Sequence, residues 1–242
     1  MSWQSASQQV AVMFAALLGV MLNSALSPQK MALWGWRIPL LVGCVIIPFL
    51  FRLRSSLEES DQFLARKIQP TAGEIFRYLR ANTGLVITGM VLFTMTTVSF
   101  YMITAYTPTF GNTVLHLASV DSFIVTFCVG ASNLFWLPVM GSLSDRIGRF
   151  PLLIACTLLM LLTSYPAMLW LVSGPTFAKL LAVELWFSFV YASYNGALIV
   201  LMTEIIPIKV RTLGFSLAYS LATALFGGFT PDYQHLSDSC HW

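Results

Sequence analysis

Seven long apolar runs dominate this chain and leave it few ways to fold. They are Gln9–Leu26, Leu33–Phe51, Leu85–Phe110, Ser122–Met140, Phe150–Ser173, Leu180–Thr203 and Thr212–Thr230. A run of roughly 20 apolar residues matches the helical path across the hydrocarbon core of a bilayer. Backbone groups in lipid must satisfy one another within the segment, which predicts helices. A transmembrane barrel needs short alternating segments, and these runs do not alternate. The second run is the weakest, because Arg37 and two prolines interrupt it. Only 10% of the 242 residues are charged and 57% are hydrophobic. Soluble domains average about 25% charged residues, so this chain lacks the charge to clothe a water-facing surface. The expected fold class is all-α integral membrane, with seven transmembrane helices.

The net charge of +3 is small and gives no case for nucleic-acid binding. Its placement matters more. Lysine and arginine mark the cytoplasmic side of a membrane protein. Arg52, Arg54, Arg66, Lys67, Arg77, Arg80, Arg146, Arg149, Lys209 and Arg211 fall in connections on one side, and Lys30, Arg37 and Lys179 on the other. The first side is therefore cytoplasmic. The stretch 54–83 is the long polar interruption, with apolar residues interleaved at near-helical spacing. It reads as one or two amphipathic helices on the membrane surface, or as a solvated linker. Cys44, Cys128, Cys156 and Cys240 form no metal-binding spacing, and no cofactor or metal is expected. No HExxH or GxSxG motif is present, so an enzyme reading has no centre. A receptor with a retinal Schiff base would need a lysine in the last span, and none is there. A channel would need a charged ring or a filter sequence.

"GSLSDRIGR", from Gly141 to Arg149, crowds one acid and two arginines between two apolar runs. Gly141 and Gly148 permit close approach and left-handed backbone. Asp145 is an acceptor suited to the N-terminus of a neighbouring helix. Arg146 and Arg149 can hold that carboxylate or reach lipid phosphates. A cytoplasmic latch and a positive anchor with turn glycines are equally compatible with the spacing. A second charged set, Glu204, Pro207 and Arg211, ends the sixth run and opens the seventh; Glu204 and Arg211 are expected to cluster with Arg149.

Polar residues inside the spans should face partners or a water-filled path. Thr94, Thr97, Tyr101 and Thr104 form one stripe. Glu184, Ser188, Tyr191 and Asn195 form another, with Tyr194 adjoining, and Thr126 and Asn133 share a face with Gly130. Gln4, Gln8 and Gln9 open the first span. Such groups serve either as interhelical glue or as hydrogen-bond donors to a polyanion. The candidate path residues are Gln4, Gln8, Thr97, Tyr101, Asn133, Tyr191, Tyr194 and Asn195. Glu184, roughly 7 Å in from Lys179, is the acid well inside a span. It reads as a rim acid reaching outward or, alternatively, as a proton-coupling acid. Trp34, Trp36 and Arg37 suit an outer interface anchor.

"GSLSDRIGRFPLL" resembles the loop motif Gly-x-Leu-x-Asp-Arg-x-Gly-Arg of the major facilitator superfamily, matching at Gly141, Leu143, Asp145, Arg146, Gly148 and Arg149. "TEIIPIKVRTLGFSLA" matches Glu-x-x-Pro-x-x-x-Arg at Glu204, Pro207 and Arg211. "SWQSASQQVAV", "WGWRIP", "YNGA" and "ATALFGGFTP" resemble the metabolite–proton symporters, and within them the citrate and tricarballylate carriers. The resemblance implies twelve helices in two halves, of which this chain would hold helices five to eleven. Residues 1–53 become the last two helices of the first half, 54–83 the central loop and 84–231 five helices of the second half. Residues 232–242 become an aberrant polar tail, as in a frameshifted fragment. The implied function is proton-coupled symport of citrate or a related organic acid across a bacterial inner membrane. As a truncated chain it is expected to insert without transporting unless a complementary fragment joins it. A carrier of a dicarboxylate, sugar or proline/betaine, and a non-functional gene remnant, are the alternatives.

Overall fold

A computed structural model describes residues 2–56, 82–206 and 211–227. The amphipathic stretch expected over 54–83 lies largely outside the described residues, as do Pro207, Cys240 and the polar tail. Six of the expected spans form helices long and apolar enough to cross a membrane. Helix α1 covers Ser2–Ala25. A π-helical turn, Met31–Gly35, leads into α2, Arg37–Ser56. Helix α3, Thr83–Phe100, continues through a π-helical segment, Tyr101–Tyr106, into the short α4, Thr107–Thr113. Then come α5 (Ser119–Ile147), α6 (Arg149–Val172) and α7 (Phe177–Ile205). The described part of the seventh span is α8, Arg211–Ala222, extended by a π-helical turn, Thr223–Gly227.

Local chemistry sets several of these ends. Thr176 is extended and its hydroxyl accepts from the backbone N–H of Lys179, capping α7. Asp121 sits in the first turn of α5, where a carboxylate complements the exposed N–H groups. Pro48, Pro138 and Pro166 lie inside helices. Spanning helices tolerate them because neighbouring groups take over the freed carbonyls.

Helix α7 is the hub of the packing: Tyr191 to Leu198 are all buried, whereas no residue from Arg37 to Arg54 of α2 is. A helix apolar on all sides belongs in a core or in lipid, and these two show the two cases. On α2, Leu41, Val45, Phe49 and Phe51 are broadly exposed. Helix α5 lies beside α7 in a parallel sense: Ser188 reaches Val129 and Asn133, and Gly196 meets Leu137 and Gly141. Helix α1 runs antiparallel to α5. Ala6 shares a buried cluster with Leu137, Gln9 reaches Asn133, and Met13 lies against Gly130. Helix α3 packs on α8 through edge-to-face contacts of Phe93 with Phe215 and Tyr219, at 5.1 and 5.5 Å between centroids.

Candidate functional site

The charged segment 141–149 is not a loop. Helix α5 runs on to Ile147 and α6 starts at Arg149, so Gly148 alone makes the joint. Its φ of 98° and ψ of 150° lie where only glycine is comfortable. Gly141 has a different role. It is buried, and a Cβ added at Gly196 would come within 3.0 Å of its backbone nitrogen. The two glycines thus let α5 and α7 touch backbone to backbone.

Arg149, held at the start of α6, bridges two other helix ends. One terminal nitrogen lies 3.3 Å from the Asp145 carboxylate on α5, and the other pairs with Glu204 on α7. Arg149 thus holds the Asp145 carboxylate, a pairing that the spacing of the segment allowed. The expected third member of the Arg149–Glu204 cluster behaves differently. Arg211 donates through Nε to the Ile206 carbonyl, 3.2 Å away, and ties the start of α8 to the end of α7. Arg146 is exposed.

A second polar assembly lies deep between α1, α5 and α7. Ser188 donates to the Asn133 side-chain oxygen at 2.9 Å, and Asn133 donates onward to Gln9 at 3.3 Å. Gln9 is only 1% exposed. The neighbouring Gln8, chosen on sequence as a path residue, is exposed instead. The side chain of Gln4 is outside the described residues. Period alone puts Gln8 and Gln9 about 100° apart on a helix, so only the register against α5 separates them.

The other chosen residues divide by partner. Tyr194 donates its hydroxyl to the Leu92 carbonyl at 2.9 Å, tying α7 to α3. Tyr191 accepts from Asn195 at 3.4 Å, and both are buried. Thr97 is buried with its hydroxyl unpartnered, as are Thr96 and Thr223. Tyr101, at the start of the π-helical segment, packs its ring on Phe100 and against Gly227. Thr94, Thr104 and Thr126 bond the carbonyls four residues back in their own chain segments, so the interhelical role expected of them is not what they perform.

Glu184 corrects the sequence reading most sharply. It does not reach outward at a rim: it is 6% exposed and accepts a hydrogen bond from Thr107 at 2.9 Å. Thr107 was missed on sequence, although it continues the stripe Thr97, Tyr101, Thr104 three residues further on. At the helix ends away from the arginine bridge, Arg37 lies over the Trp36 ring at 5.2 Å and Lys179 over Trp170 at 5.4 Å. Both have the form of interfacial anchors.

Charges joined at one edge, anchors at the other and polar chains buried between apolar helices suit a protein that crosses the membrane several times. The family model described as Major Facilitator Superfamily matches residues 1–231. The chain belongs to the major facilitator superfamily. It is a multi-pass membrane protein with an all-α fold. It is 54% identical to the citrate-proton symporter of Salmonella typhi, over 95% of this chain and 53% of that protein. The citrate-proton symporter of Klebsiella pneumoniae is 55% identical, over 95% of this chain and 52% of its own length. The alpha-ketoglutarate permease of Escherichia coli is 33% identical, over 93% and 51%. The chain thus spans about half the length of the curated relatives it matches. No solved structure matches it at a significant level. The charged joint at Gly148, the stretch that resembles the superfamily's loop motif, is built here into two helix ends.

Proposed function

We propose that this chain forms part of a proton-coupled carrier of citrate or a closely related tricarboxylate in a bacterial inner membrane. One observation carries the reading. The likeness to two citrate-proton symporters, at 54% and 55% identity, is well above the 33% to an alpha-ketoglutarate permease and the 23% to a proline/betaine transporter of Escherichia coli. In this reading Gly141, Asp145, Arg146, Gly148, Arg149, Glu204, Pro207 and Arg211 form a cytoplasmic latch. Arg149 closes it by joining three helix ends, and alternating access opens it. Thr97, Tyr101, Tyr191 and Asn195 form a wall of hydroxyls and an amide that donate to carboxylates without fixing a charge. Asn133 and Tyr194 already have protein partners and hold that wall in place. The remaining length of the relatives supplies the facing wall, here a complementary segment of the same transporter.

The test is uptake of labelled citrate in cells lacking citrate uptake. The chain is expressed alone and together with a segment covering the remainder of a citrate-proton symporter. Proton-dependent accumulation by the pair, outcompeted by tricarballylate and not by proline, is expected. Uptake of proline or of a dicarboxylate in preference to citrate would move the substrate elsewhere in the family.

A further inference from the structure

Glu184 sits about two turns into α7, where an uncompensated charge is expensive. Its Oε1 accepts from the Thr107 hydroxyl at 2.9 Å, and its Oε2 is buried without a partner. The same Thr107 hydroxyl lies 3.1 Å from the Met102 carbonyl, inside the π-helical segment. A hydroxyl has one proton to give, so Thr107 cannot serve both acceptors fully. The conflict disappears when the carboxyl carries a proton. The acid then donates to Thr107, and Thr107 donates to Met102. When the carboxyl is ionised it draws the Thr107 proton to itself, and the Met102 carbonyl loses that side-chain donor. The protonation state of Glu184 therefore selects a hydrogen bond of the π-helical segment, and such segments are frequent at functional sites.

The surroundings add a second orphan. Ser122 of α5 is fully buried with an unpartnered hydroxyl, packed against Gly111 and close to Leu180. Gly111 lies one turn beyond Thr107, and Leu180 one turn before Glu184, so the two orphan atoms occupy adjoining layers toward the outer end. On the deeper side the next turn of α7 carries Ser188, which opens the chain to Asn133 and Gln9. The titratable and charged groups on the packed elements are Asp121, Cys128, Asp145 and Arg146 of α5, Tyr101 and Tyr106 of the π-helical segment, Arg149, Cys156 and Tyr165 of α6, Arg211 and Tyr219 of α8, and Lys179, Tyr191, Tyr194 and Glu204 of α7. Among the described residues none forms an ion pair with Glu184. Lys179 is turned toward the Trp170 carbonyl, 3.4 Å away.

Resting on the transport reading above, we propose that Glu184 binds and releases the coupled proton, and that Thr107 is a positioning residue that passes its state to the segment Tyr101–Tyr106. In the step, a carboxylate oxygen forms an O–H bond with a proton from solvent on one side. After the conformational change the same bond breaks and the proton leaves to solvent on the other side; no other bond changes.

Two readouts test this, one independent of transport. The first is the infrared spectrum of the full chain in lipid nanodiscs, with Glu184→Gln as the subtracted reference. A protonated-carboxyl C=O band present in the wild type and absent from the variant is expected. Thr107→Val should move that band to higher frequency, since the acid loses a hydrogen-bonded partner. A difference spectrum showing only carboxylate bands at every pH tested would overturn the proposal. The second compares citrate counterflow with proton-driven accumulation in proteoliposomes holding the chain and its complementary segment. Glu184→Gln should keep counterflow and lose accumulation, and Glu184→Asp should retain both. Accumulation by Glu184→Gln at the wild-type level would overturn the proposal. If the wild type moves no citrate, the transport reading fails, and the infrared result still decides the state of Glu184.

Discussion

Single residues at the α5–α6 joint carry distinct physical duties. Gly148 holds a backbone conformation that a side chain resists. Gly148→Ala is expected to cost about 1–3 kcal/mol, read as a lower melting temperature of the detergent-solubilised chain. Arg149 is a different case. Its partners Asp145 and Glu204 are 60% and 55% exposed at the side chain, so water and salt weaken both pairs. A double-mutant cycle of Arg149→Ala with Glu204→Ala should return a coupling of about 0.2–1 kcal/mol, shrinking as salt rises. A coupling that salt does not touch would mean that the pair is shielded by lipid headgroups or by protein.

Between elements, the seam of α5 with α7 is set by backbone contact and by one polar chain. A Cβ at position 196 would meet Gly141 nitrogen at 3.0 Å and the Leu137 carbonyl at 3.2 Å, both backbone atoms that cannot swing aside. Gly196→Ala should therefore destabilise by about 1–3 kcal/mol, as overpacked sites do. Gly43 on α2 has open space around it, and Gly43→Ala should stay within about 1 kcal/mol of the parent. Thermal unfolding of the two variants side by side separates packing from helix propensity. Asn133→Ala removes the middle of the Ser188–Asn133–Gln9 chain and strands two buried polar groups. The expected loss is about 1–3 kcal/mol. Adding Gln9→Leu to it should cost less than the two single losses together, because the stranded amide is then gone.

For the whole molecule, the arginine bridge fixes which ends share a side. The α5–α6 joint and the end of α7 lie together, because Arg149 touches Asp145 and Glu204 at once. The α6–α7 turn lies at the opposite end, with Lys179 folded over Trp170. Reporter fusions after Gly148 and after Ile206 should read cytoplasmic, and one after Gly174 should read external. An external signal after Gly148 would invert the orientation drawn from lysine and arginine placement. The broad exposure of apolar residues on α2 and α6 is compatible with such a protein only in lipid, since water-soluble surfaces rarely carry apolar patches of that extent.

The sequence by itself determined the class of this protein. Apolar runs of spanning length force helices, because lipid offers no partner to a bare backbone group. The pattern Gly141 to Arg149 named the superfamily, because its glycines and charges have fixed spacing along the chain. What the chain alone did not decide was which polar group meets which. Gln8 and Gln9 are adjacent in sequence, and the register of α1 on α5 buried the second. Glu184 looked like an acid near a rim because depth was counted along one helix. Its burial comes from α4 and α5 closing over it, and its partner Thr107 lies 77 residues away in the chain. Arg149 and Glu204 pair as their placement led one to expect, yet Arg211, expected beside them, donates to the Ile206 carbonyl instead. Local spacing fixes periodicity and turn chemistry, whereas the pairing of buried polar atoms depends on the relative rotation and shift of whole helices, and those are settled only when the helices pack.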